Sequence, residues 1–481
     1  MIEYQDVLVI GAGLSGIAAG YYLQKEHPQK TYAILEGRDT IGGTWDLFRY
    51  PGIRSDSDMY TLGYTFNPWK ADSPIGDGAT ILAYIKETAR QFGIDQKIRF
   101  NHRVCDLSWS STAQQWTVSI QKGDDTIQQM TCNFLMMCTG YYDYDAGYTP
   151  QFSNREVFQG EIIHPQQWTD NITYQDKKVI VIGSGATAVT LVPALAEKAA
   201  HVTMLQRSPS YIFPRPSDDP LARWFYKNLP EKLAYKIIRW MAIGFGIYNY
   251  TLSRWIPDVV ASRMIDMVRE ELGDDYDVET HFTPTYNPWD QRICMALDGD
   301  LFAAIREQKV TMVTDSIDHF TDNGLALQSG KTIEADLIVT ATGLNVKFLK
   351  GITVRIDEQV IDLSQTTSYK GTMLSGIPNL AISFGYTNAS WTLKSELICQ
   401  YVCRLMAYMD KHQYQTALPK EPDSDIEQMP FVNFSSSYIK RAVSSIPKQG
   451  TDDPYKVYQN YVLDTMMLRF RKLDDGTMIF Q

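Results

Sequence analysis

Apolar positions along the chain follow a rhythm that appears twice. Val7 to Ile10 form a continuous apolar run ending at Gly11, Leu14 to Gln24 carry helical character, and Thr31 to Leu35 turn apolar again. A short aliphatic run closed by glycine predicts a strand buried on both faces of a parallel sheet. Strand, helix and strand in that order predict a βαβ unit. The rhythm returns at Val179 to Ile182 before Gly183, with Ala186 to Lys198 as helix and Val202 to Leu205 as strand. Two such units predict an α/β fold with two Rossmann-like dinucleotide-binding domains.

Other segments fill in this frame. Trp116 to Ile120, Phe134 to Met137 and Leu337 to Thr340 read as strands, the last two running on towards Gly140 and Gly343. Residues 214 to 291 break the α/β rhythm with Trp, Arg and helix formers, which predicts a helical insertion in the second domain. A long helix is expected over 392 to 414. The tail beyond it, with Pro419, Pro422, Pro430, Pro447 and Pro454, is expected to be irregular. Trp240 to Ser253 carries no charge, yet its 14 residues fall short of the roughly 20 that span a bilayer. The stretch reads as a buried helix, with a helix lying on a membrane surface as the alternative.

Composition narrows the class. The 481 residues are 44% apolar and 21% charged, which excludes a disordered or fibrous chain. The formal net charge of −11 disfavours a general nucleic-acid binder. Six cysteines without a CxxC pair exclude a zinc ribbon and an adjacent redox dithiol, and no metal site is expected. Cys399 and Cys403 are four apart in the long helix and read as buried thiols. The low cysteine use and an acidic start that runs straight into a strand, with no leader pattern, make a cytoplasmic location the expectation. No GxSxG elbow marks a serine hydrolase.

The chemistry lies at the two glycine turns. Gly11, Gly13 and Gly16 match GxGxxG between a strand and a helix, where backbone amides hold a diphosphate. Glu36 closes the next strand, where an acid accepts ribose hydroxyls and repels a 2′-phosphate, so this turn is expected to take FAD or NAD. The second turn, Gly183, Gly185 and Ala188 with Thr187, has no acid after its strand. Arg207 stands there instead, followed by Ser208, as suits the 2′-phosphate of NADP. FAD plus NADPH is the reading that satisfies both.

Further residues carry a family resemblance. Gly42, Gly43, Thr44 and Trp45, then Tyr50, Pro51, Gly52 and Asp56, fit the pattern [A/G]GxWxxxx[F/Y]P[G/M]xxxD. Phe158, Gly160, His164 and Trp168 fit FxGxxxHxxxW. The chain therefore resembles the type I Baeyer–Villiger monooxygenases over almost its whole length. Residues 43 to 60 and 286 to 292 resemble the mycobacterial ethionamide-activating subgroup. Two positions depart: Thr169 follows Trp168 where the family has Pro or Asp, and Gln291 stands where many members carry Lys beside the NADP phosphate.

The resemblance implies an activity: NADPH reduces FAD, and O2 is activated as a peroxyflavin. A ketone is then oxidised to an ester, or a sulfide or thioamide is S-oxygenated. It implies that Arg292 is the active-site arginine and Asp56 its orienting acid, with Asp58 the rival by proximity. His164 and Trp168 would sit in the domain connection, and their spacing fits one helix face. Asn388, Ser390 and Trp391 are candidates for the pocket wall. The expected domains are 1–146 with 352–481 for FAD, and 147–351 for NADP with the insertion at about 214–291. An N- or S-oxygenating flavin monooxygenase and a largely uncoupled NADPH oxidase are the alternatives.

Overall fold

The computed structural model describes residues 2–71, 73–123, 126–432 and 436–481; Met1, residue 72, residues 124–125 and residues 433–435 of the expected FAD domain lie outside them. Strand Glu3–Ile10 is central to an 11-stranded sheet. It pairs in parallel with Tyr32–Leu35 on one side, Ile10 facing Leu35, and with Ile127–Met137 on the other, Ile10 facing Met137. An antiparallel meander, His102–Ser110, Gln115–Lys122 and Ile127–Met137, extends the sheet. The chain returns late to add Thr353–Ile356 and Leu380–Ile382. Helix Leu14–Glu26 covers one face and packs on the long helix Trp391–His412.

The second sheet has five strands, all parallel, in the order Val310–Thr314, His201–Gln206, Lys178–Ile182, Leu337–Thr340, Glu161–Ile163. Val179, Ile180 and Val181 are essentially fully buried, because helices and a second layer cover both faces. Burying each such side chain stabilises by roughly 1.5–3 kcal/mol before entropy is counted. The backbone passes between the two sheets twice, after Met137 and after Thr340.

The insertion is helical: Pro220–Asn228, Glu231–Trp255, Pro257–Leu272 and Val278–Phe282. Its long helix does not pack as a buried rod. Ala234, Tyr235, Ile238 and Ile243 face inward, while Trp240, Phe245, Tyr248 and Trp255 are exposed, Trp255 at 80%. The uncharged run thus has one inner and one outer face. The inner face carries Arg239, buried against Glu396 of the long helix at 3.3 Å. Arg239 also donates to the carbonyls of Tyr60 (2.6 Å) and Gly63 (2.8 Å) and to the Tyr235 hydroxyl (3.0 Å). An insertion that interrupts the second sheet in sequence is therefore fastened to elements of the first.

The tail is more regular than its prolines suggest. Ala417–Pro419 pairs with Met478–Phe480, and Gln428–Pro430 with Lys448–Gly450. Strands three residues long leave too little alternation to be read. Helix Trp391–His412 ends at Gln413, whose φ of 59° closes it as a left-handed cap. All six cysteines are free, and only Cys105 among them is exposed.

Candidate functional site

One cavity of about 590 Å³ is lined by Gly11 and Gly13 of the first glycine turn and by Ala186 and Thr187, which follow the second. In the first turn Gly11 has φ 104°, and a Cβ there would meet the Cys138 carbonyl at 2.6 Å. A Cβ at Gly16 would lie 1.9 Å from the Gly11 carbonyl, so the helix touches the turn as only glycine allows. Gly13 stays on the wall with Gly43 opposite. Glu36 also lies on the wall, its Oε2 accepting from the Ala12 amide (2.7 Å) and its Oε1 from the Arg38 amide (2.9 Å). Burial raises the Glu36 pKa, and the two amides with Arg38 oppose the rise. Helix amides for a diphosphate and a fixed carboxylate for ribose hydroxyls fit FAD.

Gly43, Thr44 and Trp45 line the cavity from the one-turn helix Thr44–Leu47. That turn is pinned by Asp46, which is 2% exposed and paired with Arg38 (2.5 Å) and Arg49 (3.2 Å). The loop that follows leans on the other half of the molecule. Gly52, at φ 78°, lies against helix Ala186–Ala196, where a Cβ would come within 2.2 Å of the Thr190 carbonyl. Arg54 pairs with Asp300 (2.6 Å) and donates to the Met295 carbonyl (3.3 Å).

Asp56 then meets Arg292, Oδ2 to Nε, at 3.0 Å. About a third of each side chain is open, 33% for Arg292 and 36% for Asp56, and both line the cavity. Asp56 first, and then the neighbouring Tyr438, Tyr142 and Tyr141, hold the guanidinium well above its ordinary pKa against the cost of burial. Its charge is permanent at any working pH. Asp58 is occupied elsewhere: it caps helix Met59–Leu62 by accepting from the Thr61 amide at 2.9 Å.

In the second turn Gly183 has φ 140°, and a Cβ would fall 2.3 Å from the Ala341 carbonyl. Gly185 faces open space, Ala188 is buried beneath the turn, and Thr187 lines the cavity. Arg207 and Ser208 stand exposed past strand His201–Gln206, outside the cavity wall. The Ser208 carbonyl accepts from Ser184 Oγ at 3.1 Å. Arg207 has no hydrogen bond or ion pair among the described residues, so its guanidinium is available to an anion. Arg207→Ala should raise the KM for NADPH at least tenfold more than that for NADH, since one charge-assisted contact is worth about 1.5–3 kcal/mol. Equal effects in steady-state assays with both nucleotides would place the 2′-phosphate elsewhere.

The second fingerprint lies away from the cavity. His164 does not begin an α-helix; it caps the single 3₁₀ turn Pro165–Gln167, so it shares no helix face with Trp168. Its Nδ1 accepts from the Gln166 amide (3.1 Å), and its Nε2 donates to the Gly343 carbonyl (3.0 Å). Two bonds of opposite sense fix a neutral tautomer. A Cβ at Gly147 would overlap the ring, so His164 joins the two backbone crossings between the sheets. Phe158 and Trp168 are buried packing residues, the latter 5.9 Å from Tyr174, and a Cβ at Gly160 would press the Asp336 carbonyl.

Burial lowers the His164 pKa despite the Gly343 bond. Above about 6.5, the usual imidazole value, folded and unfolded forms are both neutral. Below it the unfolded chain takes up a proton that the folded site resists, so stability falls as pH drops toward the folded-state pKa. His164→Gln should flatten the acid-side decline of the melting temperature; an unchanged slope would locate the acid sensitivity in other groups.

Trp391 lines the cavity, its Nε1 donating to Ser15 Oγ (2.9 Å) and its ring stacked on Tyr141 at 5.3 Å. Asn388 does not line it. Its amide is turned to the Gln459 carbonyl at 3.0 Å, because the Gly385–Ser390 segment packs against the tail. Ser390 is buried against Thr61.

The sequence reading missed Tyr141, Tyr142, Tyr144 and Lys350 on the wall. The Lys350 ammonium lies 3.2 Å over the Tyr144 ring, and burial pushes its pKa down to about 7 against the pull of Asp143 and Glu36. No local pattern marks it, since it lies in the loop returning from the second sheet. Among the described residues no group of three or more His, Cys, Asp or Glu is placed to hold a metal ion.

Fold and site together define a dinucleotide-binding flavoprotein oxidoreductase. The model of the flavin-binding monooxygenase-like family matches residues 4–372, and the chain belongs to that family. It is 50% identical to the FAD-containing monooxygenase EthA of Mycobacterium tuberculosis, over all of this chain and 98% of that protein. It is 45% identical to the probable FAD-binding monooxygenase AlmA of Acinetobacter baylyi, over all of this chain and 97% of that one. In structure it resembles an oxidised steroid monooxygenase bound to NADP, with TM-score 0.73 and 22% identity over 87% of this chain and 88% of that chain. It likewise resembles OTEMO complexed with FAD and NADP, with TM-score 0.73 and 21% identity over 87% of each chain.

Proposed function

We propose that this protein is an FAD-containing, NADPH- and O2-dependent monooxygenase that converts ketones to esters and S-oxygenates sulfides or thioamides. The observation that carries the reading is the Arg292–Asp56 pair on the wall of a cavity lined by the first glycine turn and by Ala186 and Thr187 after the second. Bound FAD, reduced by hydride from NADPH, supplies the chemistry that splits O2, passing one oxygen atom to substrate and the other to water.

The chain's own residues bind, orient and shield. Gly11, Gly13 and Gly16 with Glu36 hold the flavin nucleotide, and Gly43, Thr44 and Trp45 close over it. Gly183, Gly185, Thr187 and Ala188 form the NADP turn, with Arg207 and Ser208 on the 2′-phosphate. The domains so defined are 1–146 with 352–481 for FAD and 147–351 for NADP. Arg292 places a permanent cation where negative charge develops on oxygen, and Asp56 fixes its orientation. Tyr141 and Trp391, stacked and tied to Ser15, exclude water from that corner. Phe158, Gly160, His164 and Trp168 act through the junction between the sheets. Six free cysteines accord with a reducing, cytoplasmic setting.

A paired assay tests the reading. Purified yellow protein would be given NADPH with one linear aliphatic ketone and one thioether or thioamide, with product mass and peroxide both followed. Ester or S-oxide in step with NADPH consumed is the expected result. NADPH loss appearing only as peroxide would leave a flavoprotein oxidase and remove the oxygenation.

A further inference from the structure

The long insertion helix Glu231–Trp255 presents an outer face unlike the rest of the surface. Met241, Phe245, Tyr248 and Trp255 are all exposed, Phe245 at 68%. Their spacing of three, four and seven residues lays them along the outward side of a helix roughly 37 Å long. A second element continues the face. Trp240 meets Tyr461 at 5.8 Å between ring centres, and beyond Tyr461 lie exposed Leu463, Met466 and Phe470, the last at 77%. Single exposed apolar side chains are ordinary, but a contiguous patch of this kind marks an interaction surface.

The charge around the patch identifies what it meets. Residues 220–256 expose Arg223, Lys227, Lys232, Lys236 and Arg254 against Glu231, the first and last of these cations paired with Asp218 and Asp290. Residues 461–472 hold Arg469, Arg471 and Lys472 against Asp464, which is buried. These cations gather on a chain whose net charge is −11. Tryptophan, tyrosine and phenylalanine on a face flanked by lysine and arginine suit the interface of an anionic bilayer. No helix among the described residues is long and apolar enough to cross a membrane, so the fit is to the surface.

We propose that this face docks the protein on an anionic lipid surface, with the aromatic side chains entering the headgroup region and the cations on the lipid phosphates. The same helix braces the loop that carries Arg292. Tyr250 packs on Trp289 at 5.6 Å, and Arg254 pairs with Asp290 at 2.6 Å. Docking therefore sets the cavity one helix away from the lipid, where apolar substrates collect. The surface is read independently of the oxygenation chemistry.

The test is co-sedimentation of the full-length, FAD-loaded protein with phosphatidylcholine vesicles and with vesicles containing phosphatidylglycerol. Binding to the anionic vesicles that weakens with added salt is expected. Lys232→Ala and Lys236→Ala should each weaken it roughly fivefold. Phe245→Ser with Trp255→Ser should abolish it while leaving flavin content and vesicle-free NADPH oxidation unchanged. No binding to anionic vesicles, or binding indifferent to both sets of variants, overturns the proposal. So does a concentration-dependent dimer that the serine variants dissolve in the absence of any lipid binding, which would make the face a homotypic interface.

Discussion

Arg292→Ala should give a yellow protein that still oxidises NADPH but releases peroxide in place of oxygenated product. Glu36 is held by the Ala12 and Arg38 amides and not by this side chain, so FAD content should match the parent. What is lost is the fixed cation beside Asp56. Removing a preorganised electrostatic donor of this kind costs about a hundred- to a thousandfold in rate. Asp56 would then stand without its cation on the cavity wall, which adds to the loss. Arg292→Lys should restore part of the product, since it keeps the charge but not the planar fork. Product and peroxide quantified against NADPH consumed decide the matter: undiminished oxygenation by the alanine variant would remove Arg292 from the chemistry.

The second large effect falls on stability. Arg239 and Glu396 are 6% and 4% exposed, and the arginine also serves the Tyr60 and Gly63 carbonyls. Burial pushes Glu396 up, while Arg239, the Thr65 amide and hydroxyl and the Tyr22 hydroxyl pull it back. Arg239→Ala leaves a buried carboxyl and two carbonyls without their donor. Breaking a buried pair from one side costs about 3–5 kcal/mol, enough to unfold a marginal protein at working temperature. Glu396→Gln should cost less, because the carbonyls keep their arginine. Replacing both by methionine should recover only part of the loss: the unpaired carboxyl is gone, but the Tyr60 and Gly63 carbonyls still lack their donor. Thermal unfolding of the three variants checks the order, and an Arg239→Ala protein as stable as the parent would show that the insertion is held by packing alone.

Much of this was legible because backbone constraints are local. A turn that needs φ 104° at Gly11 or 140° at Gly183 writes glycine into the sequence, and the strand before it writes a run of aliphatics. The Arg292–Asp56 contact is different. It joins residues from opposite ends of the topology, and only the family pattern pointed to it. Lys350 and Tyr144 stayed hidden because return loops have no periodicity to read. Asn388 was misplaced since one loop residue turns to Gln459 while its neighbour Trp391 turns to the cavity. The helix at Trp240 to Ser253 misled for a physical reason. A run without charges looks the same whether its outer face meets protein or is left exposed, and composition alone does not separate the two.

The loop from Tyr50 to Asp56 follows the first strands of the first sheet, yet Gly52, Arg54 and Asp56 all grip elements that lie beyond the first crossing to the second sheet. Mechanically it is a tow line. A rotation of the second sheet would draw Asp56 along with Arg292, so the acid and the cation stay together while their position over the first nucleotide changes. The Arg292–Asp56 charge pair is thereby registered to the second sheet and its helix Ala186–Ala196 rather than to the strands that precede the loop.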